Sequence, residues 1–423
     1  ITAAGTASTV GAAFNTGFEE FSQFGKDVFG NTRTAQVPSA LGGIVSAVLG
    51  LNNIGQMRST LQLPSAPQYA VSYTPAQFQT IYYATGEPAA TNATIAIMAE
   101  GNLTGVVNDL RLAEKGFGLP QVPVTIVPVG VASSDTSGAD EWDMDTQYSS
   151  GIAQNLKMLY LYDTTSLSDS DLALEFSRWA TDNKAKAASA SLGECEFFPY
   201  IDGSMLVDDM IFLEAASQGQ TFFASAGDTG SFCPAGPAGA NGVPVGAPFV
   251  NYPASSPYVV GVGGTTLLTN ANGTYDQEVA WYAGGGGMSQ FESSPAWQSS
   301  QVKLLATTGD KGVPDLAYDA DPESGALVYV NGVPEGVGGT SLSSPLALGT
   351  WARAVSVNPK LGFASPRLYG LYNGSGTGPM YPRNGFHDIT LGANGLYAAA
   401  PGYDLTTGLG TPIINQLVTD LSK

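Results

Sequence analysis

A chain of 423 residues, 43% of them hydrophobic, is long enough for one large domain or two to three ordinary ones. Its 36 acids against 16 bases give a formal net charge of -20 at pH 7, which excludes the basic footprint that nucleic-acid binding requires. Charged residues nevertheless make up only 12% of the chain, about half the usual share; with so few bases, the positive charge reached in acid stays capped, which suits an acidic medium.

Residues 7–14 read as a short helix, and residues 19–31 as two short strands around Gly25-Lys26. Pro38 is placed to open an apolar helix running through Leu51. Residues 40–51 are also the best apolar run of the chain, too short and too glycine-rich to span a bilayer, so no membrane partner is expected. The chain begins on Ile1 without a signal-peptide pattern, which reads as a processed or truncated start. Residues 63–68, Leu-Pro-Ser-Ala-Pro-Gln, read as a connector and cleavage zone. From Tyr73 onward the texture is α/β. Residues 94–99 and 122–129 are apolar runs of strand length, and residues 141–161 carry helical spacing. Residues 187–192, 221–225 and 258–262 are further buried-strand candidates, with helical patterns over 172–186 and 205–218 between them. This alternation predicts a doubly wound, mostly parallel sheet with helices on both faces. Its site should lie at the carboxyl ends of the strands.

The segment Gly338-Gly-Thr-Ser-Leu-Ser-Ser-Pro345 precedes a helical pattern over 346–355. A serine in such a turn can expose its hydroxyl beside backbone N–H donors, or can simply cap the helix. A nucleophilic serine needs a base. The single histidine, His387, follows Ser341, which excludes a triad in the subtilisin order; beside a turn it reads as structural. A carboxylate must then serve. In Asp140-Glu-Trp-Asp-Met-Asp145, Glu141 and Asp145 share a helix face if a helix opens there, while Asp143 points away. Two facing carboxyls can share a proton and split their titrations; the same acids would also suit an ordinary first helical turn. In Ser225-Ala-Gly-Asp-Thr-Gly230, Asp228 ends a buried strand. Asp-Thr-Gly is also the pepsin-like signature, but such enzymes need two copies or a dimer, and one occurs here. Cys195 and Cys233 can close one disulfide in an extracellular protein or remain buried thiols in a cytosolic one; we favour the bridge. Two Cys and one His make no zinc pattern.

In order and spacing, Glu141-x-x-x-Asp145, Ser-Ala-Gly-Asp228 and Gly-Thr-Ser341-x-x-x-Pro345 resemble the sedolisin family. So do Tyr252-Pro-Ala-Ser-Ser-Pro257, Gly261-Val-Gly-Gly-Thr-Thr266, Gly284-Gly-Gly-Gly287 and Val313-Pro-Asp315. The resemblance covers residues 70–423, and residues 1–60 resemble the C-terminal part of the family's prodomain. It implies a subtilisin-like α/β fold preceded by an α+β prodomain remnant (1–60), a linker with the processing site (61–72) and a peptidase domain (73–423). It further implies a secreted, monomeric, acid-acting serine-carboxyl peptidase made as a zymogen, whose partners are protein and peptide substrates and its own prodomain. Ser341 would be the nucleophile, Glu141 the general base, Asp145 its supporting acid, and Asp228 would sit in the oxyanion hole. One Ca2+ would be held by the carboxylates of Asp388 and Asp404 and the carbonyls of Ile389, Ala400 and Gly402, an all-oxygen shell. Ala400 stands where the family often has glycine. Endopeptidase action is favoured, with tripeptidyl-peptidase action the alternative, and self-cleavage in acid is expected between about Gln56 and Tyr73. A calcium-dependent binding protein without catalysis, and a pepsin-like peptidase centred on Asp228, are the competing readings. Sequons at Asn92, Asn102, Asn272 and Asn373 matter only in a eukaryotic secretory host.

Overall fold

The computed structural model describes residues 1–23, 26–67, 70–233, 248–372 and 385–423; Gly25, Gln68 and Asn373, which figure in the sequence reading, lie outside them. Apolar runs without alternation can be satisfied only by burial on both faces, and they form the central sheet. Its strands are β1 (Thr94–Glu100), β2 (Val124–Pro128), β3 (Met158–Thr164), β4 (Ala187–Ala190), β5 (Thr221–Ser225), β6 (Val260–Thr269), β7 (Tyr275–Ala280) and β8 (Leu316–Asp319). The order is β7-β6-β5-β4-β1-β3-β2, with β8 also paired to β6. Every pair is parallel except β6 with β7.

Helices α1 (Thr104–Phe117), α2 (Ala139–Ala153), α3 (Asp169–Asp182), α4 (Ser204–Ser217) and α5 (Thr340–Val357) cover this sheet, with α2 packed on α5 and α3 on α4. The α2–α5 seam is tight at Gly349, where a Cβ would stand 2.6 Å from the Ser149 carbonyl oxygen and 2.8 Å from Ile152 Cβ. Between α3, α4 and β5, the rings of Phe176, Phe212 and Phe222 meet with centroids 4.7 to 5.2 Å apart. A disulfide joins Cys195 to Cys233. No helix among the described residues is long and apolar enough to cross a membrane.

Three elements depart from the sequence reading. The helical spacing over 141–161 breaks at Ala153: Gln154 and Asn155 take φ of 55° and 50°, and the rest of the run becomes β3. An alternation of large apolar residues reads equally as one face of a helix or as a strand buried on both sides. The helix expected over 38–51 is only a single 3-10 turn, Ser39–Leu41. Gly42-Gly43 follows, and residues 38–44 are all exposed, so neither propensity nor burial supports a longer helix. The helix expected over 346–355 starts earlier, at Thr340, which draws Ser341 into its first turn.

The N-terminal residues form a helix, Ala7–Ala13, capped by Thr6, and an antiparallel hairpin, Phe18–Gln23 with Lys26–Asn31. The chain then runs across the C-terminal end of the sheet. Gln56 bridges to Ser168, Arg58 and Ser59 pair antiparallel with Gly193 and Leu192, and Gln62 bridges to Gly338. Met57 in this stretch is 1% exposed and belongs to the main core.

Much of the acid content is internal. Lys311–Asp315 is a fully buried ion pair, at 3.1 Å, but several other internal carboxyls are governed chiefly by burial. Burial, with Asp109 and Asp140 nearby, pushes Asp143 up to about 8. Burial likewise raises Glu196 to about 7, and burial together with Asp209 raises Glu292 to about 9. Such groups keep protons in the folded chain that the unfolded chain releases near pH 4. Their stabilising effect is therefore complete in acid and is lost as pH rises through the 7–9 range. The thermal unfolding midpoint should fall by at least about 5 °C between about pH 6 and about pH 9, followed by circular dichroism; a midpoint that rises over that interval contradicts the reading.

Candidate active site

Three elements meet at the C-terminal end of the sheet. Helix α2 opens at Ala139, so Glu141 and Asp145, four residues apart, present side chains on one face. Helix α5 opens at Thr340 just after Gly339, whose φ of 102° favours glycine. A Cβ on Gly339 would collide with the Thr60 carbonyl oxygen and lie 2.6 Å from Asp228 Oδ2. Asp228 follows β5 through Ala226 and Gly227.

The geometry brings together all four residues singled out in the sequence. Ser341 Oγ donates to Glu141 Oε2 at 2.8 Å. Ser191 Oγ donates to Asp145 Oδ1 at 2.6 Å, and the Ser191 carbonyl accepts from Ser341 Oγ at 3.3 Å. Ser341, Glu141 and Asp145 are each 0% exposed. Asp228 Oδ1 accepts from the Thr340 N–H at 2.9 Å and from Thr340 Oγ1 at 2.7 Å. Three carboxyl oxygens, Glu141 Oε1, Asp145 Oδ2 and Asp228 Oδ2, are buried without a hydrogen-bond partner.

Burial raises the Glu141 carboxyl well above the usual range, and the neighbouring Asp145 raises it further, against the bonds from Ser59 and Ser341. Burial also raises Asp145 well above its ordinary value, against the bond from Ser191. Asp228 is pushed up to about 7 by burial, moderated by Thr340. Asp143 takes no part in this cluster. His387 stacks on the Tyr275 ring, centroids 3.9 Å apart, and burial lowers it to about 4.

The prodomain-side chain lies in the same cleft. Thr60 Oγ1 is 2.7 Å from Ser341 Oγ, the Thr60 N–H donates to Ser341 Oγ at 3.1 Å, and Ser59 Oγ donates to Glu141 Oε2. Ser59, Thr60, Ser191 and Thr340 escaped the sequence reading. For Ser191 a signal existed, a serine leaving the buried run over 187–192; the hydroxyls of Ser59 and Thr60 carry no local pattern.

On another surface, the Gly402 N–H donates to both oxygens of Asp388, at 3.0 and 3.1 Å, and the Ala400 N–H to Asp404 Oδ2 at 3.0 Å. The two carboxylates thus converge on one loop. No group of three or more His, Cys, Asp or Glu suited to a metal occurs among the described residues.

A Subtilase family model matches residues 128–368, and a pro-kumamolisin activation-domain model matches residues 1–54. Sedolisin of a Pseudomonas species is 37% identical, the alignment covering 99% of this chain and 74% of that protein. Xanthomonalisin of a Xanthomonas species is 35% identical, over 99% of this chain and 56% of that protein. The solved structure of Pseudomonas sedolisin, described as a serine-carboxyl proteinase complexed with two molecules of pseudo-iodotyrostatin, superposes with a TM-score of 0.76 at 36% identity, over 83% of this chain and 98% of that one. Similarity of this extent, spanning prodomain and catalytic domain alike, makes the chain a member of the sedolisin family, serine-type peptidases of subtilisin-like fold.

Proposed function

We propose that the chain is an acid-acting serine-carboxyl endopeptidase, made as a zymogen, that hydrolyses protein substrates through an acyl-enzyme on Ser341. The observation that carries this reading is the 2.8 Å bond from Ser341 Oγ to Glu141 Oε2, in a cluster with no imidazole. Glu141 takes the hydroxyl proton as Ser341 attacks the scissile carbonyl, then returns it to the leaving nitrogen. Asp145 supports Glu141 from the same helix face: its charge raises the Glu141 carboxyl, and Glu141 Oε1 and Asp145 Oδ2 are both buried without partners, so the two carboxyls favour holding one proton between them rather than ionising together. Asp228 Oδ2 faces the space above Gly339, and when protonated it donates to the oxyanion forming there.

Endopeptidase action is supported by the occupied cleft. The chain continues upstream of Ser59 through Met57, whose N–H donates to the Leu167 carbonyl at 3.1 Å, and on to Gln56. The cleft therefore accepts residues well beyond the three that a tripeptidyl-peptidase would admit. The disulfide favours secretion. Asp388 and Asp404, each bonded by an N–H of residues 400–402, would supply the carboxylates of one Ca2+ site, to which the carbonyls of Ile389, Ala400 and Gly402 would add further hard oxygen donors. Calcium there would tie the C-terminal loops together and takes no part in the chemistry.

Ser341→Ala and Glu141→Ala should each lower hydrolysis of a denatured protein in acid by about 10⁴-fold or more; wild-type turnover in either removes that residue from its role. The donor function of Asp228 needs its proton, so kcat should decline as pH rises through about 7. Asp228→Ala should lower kcat by roughly 10²–10³-fold with little change in the unfolding midpoint; a rate maximum well into the alkaline range refutes the acid-acting reading. Chelation should lower the unfolding midpoint by about 5 °C. Asp404→Ala should show the lowered midpoint and no further response to chelator, while a chelator response unchanged in this variant places the ion elsewhere.

A further inference from the structure

Around Gly203 the surface is apolar and incompletely covered. Tyr200, Ile201, Leu206, Met210 and Leu213 are 45 to 60% exposed. The first two belong to the short helix Phe197–Asp202, where Tyr200 stacks on Phe291 with ring centroids 4.1 Å apart, and Phe291 in turn on Phe249 at 6.0 Å. Packing holds these rings in place, so a partner would lose little entropy in meeting them. The other three lie on α4, which is apolar all round: Met205, Phe212 and Ala215 turn inward, while Leu206, Met210 and Leu213, at i, i+4 and i+7, face out. A helix of that kind is ordinarily covered on every side, and exposed apolar groups gathered in one place mark an interaction site.

This surface continues the cleft. The strand Leu192–Cys195, which pairs with Arg58 and Ser59, leads through Glu196 directly into Phe197–Asp202. Upstream of Arg58 the occupant of the cleft runs antiparallel to that strand, through Gln56 and its bridge to Ser168, and reaches the same place. Val48, Leu49 and Gly50 line a cavity with Asp169, Ser170 and Asp202, and a Cβ on Gly203 would lie 3.6 Å from that of Ala47. Residues 44–49, Ile-Val-Ser-Ala-Val-Leu, are apolar, form no helix or strand from 45 onward, and leave Val45, Ala47, Val48 and Leu49 only half-buried. An irregular apolar stretch is therefore what the surface already receives.

Resting on the reading of Ser341 and Glu141 above, we propose that this surface is a docking site for substrate: it takes an apolar stretch of an unfolded protein that lies 11 to 16 residues upstream of the scissile bond. That spacing is the separation of residues 44–49 from Thr60, whose N–H lies 3.1 Å from Ser341 Oγ. With the prodomain gone, a substrate chain running along Leu192–Cys195 in the same sense delivers its own upstream residues to Tyr200, Ile201 and Leu206. Apolar side chains are what a protein loosened by acid exposes. They need no fixed partner geometry, so the site selects unfolded over folded proteins and not one sequence over another. The contact is equally strong before and after the scissile carbonyl is attacked; it lowers KM and leaves kcat alone. A second copy of the chain is disfavoured as the occupant, because the surface leads out of the cleft and the stretch found on it continues the cleft's own occupant.

The test uses the full chain after acid treatment and two long unstructured peptides that share one cleavage sequence. One carries Ile-Val-Ser-Ala-Val-Leu 11 to 16 residues upstream of the bond, the other Gly and Ser there. Covering about 60 Å² more apolar surface is worth roughly tenfold in binding, so the first peptide should show a KM about tenfold lower at equal kcat. Moving the stretch the same distance downstream should abolish the advantage. Ile201→Ser combined with Leu206→Ser should raise KM for the first peptide to that of the second, while Ile201→Leu with Leu206→Met keeps the difference. A short peptide confined to the cleft should be cut at the wild-type rate by both variants, which shows that they are folded. Equal KM for the two long peptides, an advantage that survives downstream placement, or one that survives Ile201→Ser with Leu206→Ser overturns the proposal. So does a dimer in sedimentation that this variant dissociates, which would assign the surface to a second copy. Each of these outcomes leaves the site reading standing if wild type cuts the short peptide and Ser341→Ala does not; cutting by Ser341→Ala at the wild-type rate would instead sink the site reading itself.

Discussion

Helices α2 and α5 approach each other so closely that Gly349 has no room for a Cβ against Ser149 and Ile152. That contact fixes the height of one helix against the other, and with it the meeting of Glu141 with Ser341 across the seam. Interiors are packed too densely to absorb a misfit there. The groups that face the seam from other elements, Ser191 near β4 and Asp228 beyond β5, are brought in by strands buried on both faces. The cluster is thus a property of the scaffold more than of any one loop, which is how positioning to within about 0.5 Å is achieved.

The carboxyl cluster around Ser341 is short of countercharge. Glu141, Asp145 and Asp228 sit away from water with hydroxyls and backbone amides as partners, and no cation bonds to them among the described residues. Desolvation then becomes the dominant influence on each carboxyl. Burial is likewise the largest influence on Asp143, Glu196 and Glu292, in a chain whose bases are few.

Legibility in the sequence followed the physics of each segment. The strand over 221–225 was readable to the residue because an unbroken apolar run between polar turns has one solution. Glu141 and Asp145 were readable because four-residue spacing on a helix imposes a shared face. β3 was hidden because its large apolar residues fit two periods, and the left-handed pair Gln154 and Asn155 gives no strong compositional warning. Residues 38–51 misled because apolarity alone does not supply a surface to dock on. Ser191 and Thr340 touch the acids only through tertiary contacts, across separations of 46 and 112 residues, which no local pattern encodes.

The occupant of the cleft is gripped largely by peptide groups: Arg58 and Ser59 through strand pairing, Gln62 through its two bonds to Gly338. Peptide groups are common to every sequence, so a grip of this kind is nearly blind to what it holds. Within residues 56–62 the most completely buried side chain is that of Met57, 1% exposed and part of the main core. A long, flexible thioether adapts to an irregular hollow. The side chain that this stretch anchors most firmly thus lies three residues upstream of Thr60, away from the Ser341 hydroxyl.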